Sequence, residues 1–211
     1  MNISFWQSRW SKNDIAFHEG EANSLLLKTF HNLNLKEKSR ILIPMCGKTK
    51  DIGWFLSMGF QVVGVELIEM AVEQLFSELN MKPEITGSNN IKRYSSANLD
   101  IFAGDFFEIS SKELGHVDAV YDRAAIVALP ERMRVKYASH LIDVSKSAPQ
   151  LVITYIYNQS QMQGPPFSVD ITEMQMHYED TYRLKLLEKK DVPGGLKNIL
   201  PATENAWLLS H

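Results

Sequence analysis

Cysteine is almost missing from this chain: Cys46 is the single one in 211 residues. One cysteine forms no intramolecular disulfide and builds no thiolate metal cluster, which fits a reducing compartment and points to the cytoplasm. Long apolar runs are missing as well. No stretch approaches the roughly 18 residues of a membrane-spanning helix, and Met1-Asn2-Ile3-Ser4-Phe5-Trp6 has no basic segment ahead of an apolar one, so neither insertion nor secretion is expected. Charge of one sign is not in excess, because 22 Lys+Arg stand against 25 Asp+Glu for a net charge of −3. So weak a field argues against nucleic acid as a partner. The six histidines, His18, His31, His116, His140, His177 and His211, never fall three or four positions apart. No catalytic metal is therefore expected. Repeats, low-complexity blocks and Pro/Gly/Ser linkers are absent too, leaving one domain over 1–211, and without coiled-coil heptads that domain is expected to be a monomer.

What is present alternates between two periods. Residues 21–33 place Ala22, Leu25, Leu26, Phe30 and Leu33 on one helical face. Buried strands are expected at 40–45 and 61–66. The helices after them carry Ile52, Phe55 and Leu56, and then Ile68, Ala71, Val72, Leu75 and Leu79. Further strands are expected at 99–103, 117–121 and 150–157. Between the last two, Pro130 opens a helix whose inward face holds Met133, Tyr137, Leu141 and Ile142. Asp170 and Glu173 resemble a capping box, and 183–187 with 206–209 read as a closing antiparallel pair. The expected fold is α/β: a doubly wound, mostly parallel, seven-stranded, Rossmann-like sheet covered by right-handed crossovers.

Ligands of such sheets bind beyond the carboxyl ends of the strands, where strand order reverses. Those ends read here as Met45-Cys46-Gly47, Glu66, Asp105-Phe106 and Asp122-Arg123. Glu66 stands 21 positions after Met45 (66 − 45), the spacing at which an acid meets the ribose hydroxyls of an adenosine ligand; otherwise it caps the strand or the next helix. The turn holds only Gly47 where a dinucleotide fingerprint would hold three glycines, so NAD loses ground. A phosphate-free adenosine ligand, S-adenosyl-L-methionine, is favoured instead. Cys46, just after a strand, reads as a small apolar residue rather than a nucleophile.

Several ordered segments carry a resemblance: Phe5-Trp6-Gln7-Ser8-Arg9-Trp10, Ala16-Phe17-His18-Glu19, Pro44-Met45-Cys46-Gly47-Lys48, Val62-Val63-Gly64-Val65-Glu66, Tyr121-Asp122-Arg123-Ala124-Ala125, Gly164-Pro165-Pro166-Phe167 and Ala206-Trp207-Leu208-Leu209. In their order and spacing the chain resembles the thiopurine S-methyltransferase family, bacterial type, among the class I S-adenosylmethionine-dependent methyltransferases. The resemblance places Trp10, Met45, Glu66 and Arg123 at cofactor-binding positions, Asp105 and Phe106 beside the adenine, and Phe17 toward the acceptor. It also implies that the N-terminal segment, 1–35, covers the cofactor crevice.

Each role has a physical counterpart and a plainer alternative. Trp10 offers a broad apolar face over the cofactor, or with Trp6 packs a helix on the core. Phe106 walls the adenine or belongs to the core. Arg123 binds the methionine carboxylate and favours an anionic thiol, which makes it the catalytic candidate, or it orders its loop by an ion pair. Phe17 stacks on a flat acceptor or fills the core. Met45 stands where the family commonly has leucine, a volume-conserving change, while 171–180 and 189–203 match nothing in the family pattern. The expected reaction is methyl transfer to the sulfur of a small aromatic or heterocyclic thiol. Alternatives are transfer to another soft nucleophile, such as a selenium or tellurium species, a nicotinamide-dependent oxidoreductase, and a non-catalytic adenosine-ligand sensor.

Overall fold

A computed structural model describes residues 3–15, 18–88 and 90–211. Its centre is β1 (Arg40–Pro44), an apolar run whose residues alternate between two layers. Ile41 and Ile43 join a cluster with Leu25, Phe55, Val72 and Phe76, while Leu42 joins another with Tyr137, Leu141 and Met174. That alternation follows from the two-residue period of a strand buried on both faces.

Parallel neighbours extend β1 in both directions: β2 (Gln61–Glu66) on one side and β6 (Ala119–Arg123) on the other, then β5 (Leu99–Ala103) and β7 (Gln150–Ile156). Beyond β7 come the antiparallel β9 (Thr203–Ser210) and β8 (Arg183–Asp191). These are the seven expected strands. Among the described residues the sheet has nine, in the order β3-β4-β5-β2-β1-β6-β7-β9-β8, because β3 (Glu84–Gly87) and β4 (Lys92–Ser96) form a hairpin on the free edge of β5. All four β3 residues are exposed, so no apolar alternation marked it in the sequence.

The helices are α1 (Ile3–Ser11), α2 (Ser24–Thr29), α3 (Lys50–Ser57), α4 (Glu69–Glu78), α5 (Ser111–Leu114), α6 (Glu131–Ser145) and α7 (Ile171–Tyr178). The helix expected over 21–33 is shorter. Asn23 caps its start by accepting from Leu25 N and Leu26 N, and from Phe30 to Leu33 it tightens into a 3₁₀ turn. The expected pair at α7 is half formed: Asp170 accepts from Glu173 N, whereas the Glu173 carboxylate turns to Arg134 of α6. The strand expected at 117–121 lies two residues later, so Arg123 is its last residue rather than the first of a loop. No helix among the described residues is long and apolar enough to cross a membrane.

Candidate active site

Strand order reverses at β1, and the crevice there is built from four strand ends. Met45 follows β1, Glu66 closes β2, Arg123 closes β6 and Tyr155 lies near the end of β7. All four line one cavity of about 410 Å³, within the size range of small-molecule sites. Two of the turns hold left-handed residues that are not glycine, Met45 at φ 48° and Ala124 at φ 64°. Backbone in that region costs of order 1–3 kcal/mol and clusters at functional sites.

Glu66 is 7% exposed. Its Oε2 accepts from Gly47 N and its Oε1 from Ile68 N, both at 2.8 Å. Burial raises its carboxyl above the usual range, and the backbone donors Ile68, Gly47 and Leu67 oppose that rise. It therefore caps the approach to α4 and also faces the cavity. A carboxylate has about four acceptor positions, more than these backbone donors fill, so capacity remains toward a hydroxyl in the cavity. Gly47 brings the turn close beneath Trp10: a Cβ there would lie 3.3 Å from the indole, at φ +53°. Trp10 is 5% exposed, clusters with Ile68 and Ala71, and lines the cavity with Trp6 and Arg9 of α1.

Cys46 is buried, and burial pushes its thiol up, with the Glu66 charge adding to the effect. Its Sγ sits 2.8 Å from where a Gly64 Cβ would stand, so Gly64 is what lets the thiol pack between β1 and β2. Such a thiol is an inert spacer.

Arg123 is 9% exposed and pairs with Glu19. Burial alone would lower its pKa, but Glu19 and further acidic groups raise it overall, which keeps the guanidinium charged. Burial is also the larger influence on Glu19, raising it against the pull of Arg123. Nearby, Asp51 ties the N-terminal segment to the sheet by accepting from Asn23 N at 2.7 Å and from Tyr121 Oη at 3.0 Å. Burial and then Glu204 hold the Tyr155 phenol well above its usual range. His18 lines the cavity as well; burial, then Lys48, lowers it below the ordinary imidazole value. Lys48 is engaged by Glu78, a carboxyl drawn down to about 2 by hydrogen bonds from Lys48 and Lys50.

The structure thus brings together Trp10, Met45, Glu66 and Arg123. It does not bring Asp105 and Phe106 to the cavity wall. The chain after β5 enters a 3₁₀ turn that Asp105 caps by accepting from Phe107 N at 3.0 Å. Phe106, 1% exposed, drops into the core against Tyr137 and His140. Phe17 lies outside the described residues. Sequence reasoning missed His18, Lys48, Tyr155 and the 195–198 loop as lining groups. The position of Tyr155 near the carboxyl end of a buried strand was the available signal.

The fold has parallels among solved structures. The *Burkholderia thailandensis* 1,6-didemethyltoxoflavin-N1-methyltransferase, solved with 1,6-didemethyltoxoflavin and S-adenosylhomocysteine bound, superposes with a TM-score of 0.67 at 13% identity, covering 99% of this chain and 87% of that one. At that identity the likeness shows the fold, that of an S-adenosylmethionine-dependent methyltransferase. The sequence goes further. The family model for thiopurine S-methyltransferase (TPMT) matches residues 1–201. The thiopurine S-methyltransferase of *Teredinibacter turnerae* is 47% identical over 211 residues, covering 100% of this chain and 98% of its own. That of *Xanthobacter autotrophicus* is 46% identical, covering 100% of both. The chain belongs to the thiopurine S-methyltransferase family, and the nicotinamide alternative is set aside.

Proposed function

We propose that the protein transfers a methyl group from S-adenosyl-L-methionine to the sulfur of a small aromatic or heterocyclic thiol. The observation that carries this is the pairing, across one cavity at the switch point, of a buried carboxylate, Glu66, with a charged guanidinium, Arg123. A nucleoside carrying an amino-acid tail presents hydroxyls to the first and a carboxylate to the second. When bound, it supplies a methyl group already activated by a positively charged sulfur.

The chain's own groups bind and orient. Glu66 accepts from the ribose hydroxyls, Met45 and Trp10 supply apolar surface, and Trp10 on Gly47 excludes water. Arg123 holds the carboxylate and lowers the energy of a thiolate beside it. Alignment of sulfur and methyl is worth up to about 7–11 kcal/mol in well-oriented cases. The family resemblance assigns Phe17 to stacking on the acceptor. The acting species on this reading is a cytoplasmic monomer with no nucleic-acid partner, consistent with the near-neutral charge. Labelled-methyl transfer to a panel of heteroaromatic thiols, phenols and amines tests the assignment. Thiols are expected to be methylated at least tenfold faster than the others, and equal or absent transfer to thiols would overturn it.

A further inference from the structure

The cavity shares a wall with a second cleft. That cleft, about 430 Å³, lies between residues 19–24 of the N-terminal segment and the ends of β8 and β9. Tyr155 lines both. In the sheet register Tyr155 of β7 lies opposite Glu204 of β9, and Glu204 lies opposite Lys190 of β8. Directly paired residues of an antiparallel ladder share a face. A phenol, a carboxylate and an amine therefore run in a row from the inner cavity to the outer cleft.

Lys190 Nζ donates to Ser24 Oγ at 2.7 Å. The Tyr155 phenol and the Glu204 carboxylate stand opposite each other in the ladder, and Glu204 is 9% exposed with an Oε1 that has no hydrogen-bond partner among the described residues. A carboxylate oxygen is a hydrogen-bond acceptor and a phenol both donates and accepts, so Glu204 is placed to take a proton from Tyr155, whose oxygen can in turn take one from the cavity that it lines. A thiol enters with a proton on sulfur, or on a ring nitrogen as the thione, and loses it when sulfur is methylated. Arg123 stabilises the anion yet takes no proton. Burial, and then the charge of Lys48, disfavour the cationic form of His18.

We propose that Tyr155 accepts the proton of the incoming thiol and passes its own to Glu204, from which it leaves through the outer cleft. The inference rests on the thiol-methylation reading above. The S–H or ring N–H bond breaks as an O–H bond forms at Tyr155; the original Tyr155 O–H bond breaks as one forms on Glu204. Sulfur keeps its electron pair, and one proton reaches solvent for each methyl transferred. Rotation of the phenolic O–H restores the starting state. Tyr155 touches the acceptor, while Glu204 acts through Tyr155 as a positioning residue. The other charged groups facing the pair are Arg123 on β6, Lys190 on β8, Glu19 of the N-terminal segment and, behind Glu19, Asp51 of α3.

The test is kcat/KM against pH for two acceptors, an aliphatic thiol protonated at neutral pH and an aromatic thiol ionised there, with wild type, Glu204→Gln and Tyr155→Phe. Loss of a positioned proton acceptor is commonly worth 10²–10⁴ in rate. Both variants are expected to lose at least about tenfold with the protonated thiol and to stay within about twofold with the ionised one. The deficit should vanish as pH rises above the thiol's own pKa. Affinity for S-adenosylhomocysteine, read by calorimetry, should stay within about twofold, which reports an intact fold. Equal losses for both acceptors at every pH, or no loss in either variant, would overturn the relay. If Glu204→Gln fails to bind S-adenosylhomocysteine, Tyr155→Phe decides by the same criteria. Wild type that methylates no thiol would instead overturn the function reading.

Discussion

Glu66 holds two backbone N–H groups and faces the cavity with the same carboxylate, which makes its charge and its two oxygens separable in experiment. In Glu66→Gln one oxygen becomes an NH2 that meets Gly47 N or Ile68 N donor against donor. Hydrogen bonds to charged groups contribute about 1.5–3 kcal/mol. Affinity for S-adenosylhomocysteine by calorimetry should therefore fall about ten- to a hundredfold. Unchanged affinity would remove Glu66 from the ribose. The placement of Glu66 at a strand end on the cavity was legible in the sequence because a strand-to-strand spacing announces it, and so was the burial of Cys46 just after a strand, although its packing against Gly64 appears only once β1 and β2 pair. Asp51 was not legible. Its partners Asn23 and Tyr121 stand 28 and 70 positions away, and only the completed sheet brings a buried acid under both.

Among the elements, α1 packs apart from the two large cores. Trp10 anchors it in a small cluster of its own with Ile68 and Ala71, and neither large core includes any of its residues. Segments with few buried contacts open at low free energy. A ligand held beneath Trp10 should close it. Trypsin cleavage after Arg9 and Lys12 is therefore expected to slow several-fold when saturating S-adenosylhomocysteine is added, with cleavage elsewhere little changed. Equal rates with and without ligand would detach α1 from the binding event. The helical period around Trp6 and Trp10 announced this element, just as apolar runs announced the five parallel strands. The β3–β4 hairpin escaped for the opposite reason: it is stabilised by its ladder to β5 and by polar contacts such as Ser95 and Arg93 with Asp100, which leave no apolar rhythm to read. Phe106 shows the remaining ambiguity, since an aromatic residue at a strand end serves a pocket or a core equally well until the course of the next turn is known.

At the scale of the molecule, the C-terminal ends of the central strands carry buried acids whose ionisation opposes folding, and stability should register this. Asp122, fully buried, accepts from Tyr137 Oη at 2.7 Å and from Ile126 N at 3.2 Å, fixing the turn that follows Arg123. Burial raises its carboxyl to about 6, against those hydrogen bonds. In the unfolded chain an aspartate titrates near 3.9. Between these values the native state binds more protons than the unfolded state, so stability falls as pH rises through that window. The penalty is absent below about 4, complete above about 6, and of order 3 kcal/mol at most. Glu78, drawn down to about 2, acts in the reverse sense, but its contribution is common to wild type and to a variant at a distant site. Asp122→Asn keeps the oxygen toward Ile126 N and lets the amide donate to Tyr137 Oη without a charge. Urea unfolding from pH 4 to 7.5 should therefore show the variant gaining on wild type by up to about 3 kcal/mol across the window, then running parallel above it. Parallel profiles throughout would mean that Asp122 is ionised in the native state as readily as in the unfolded one.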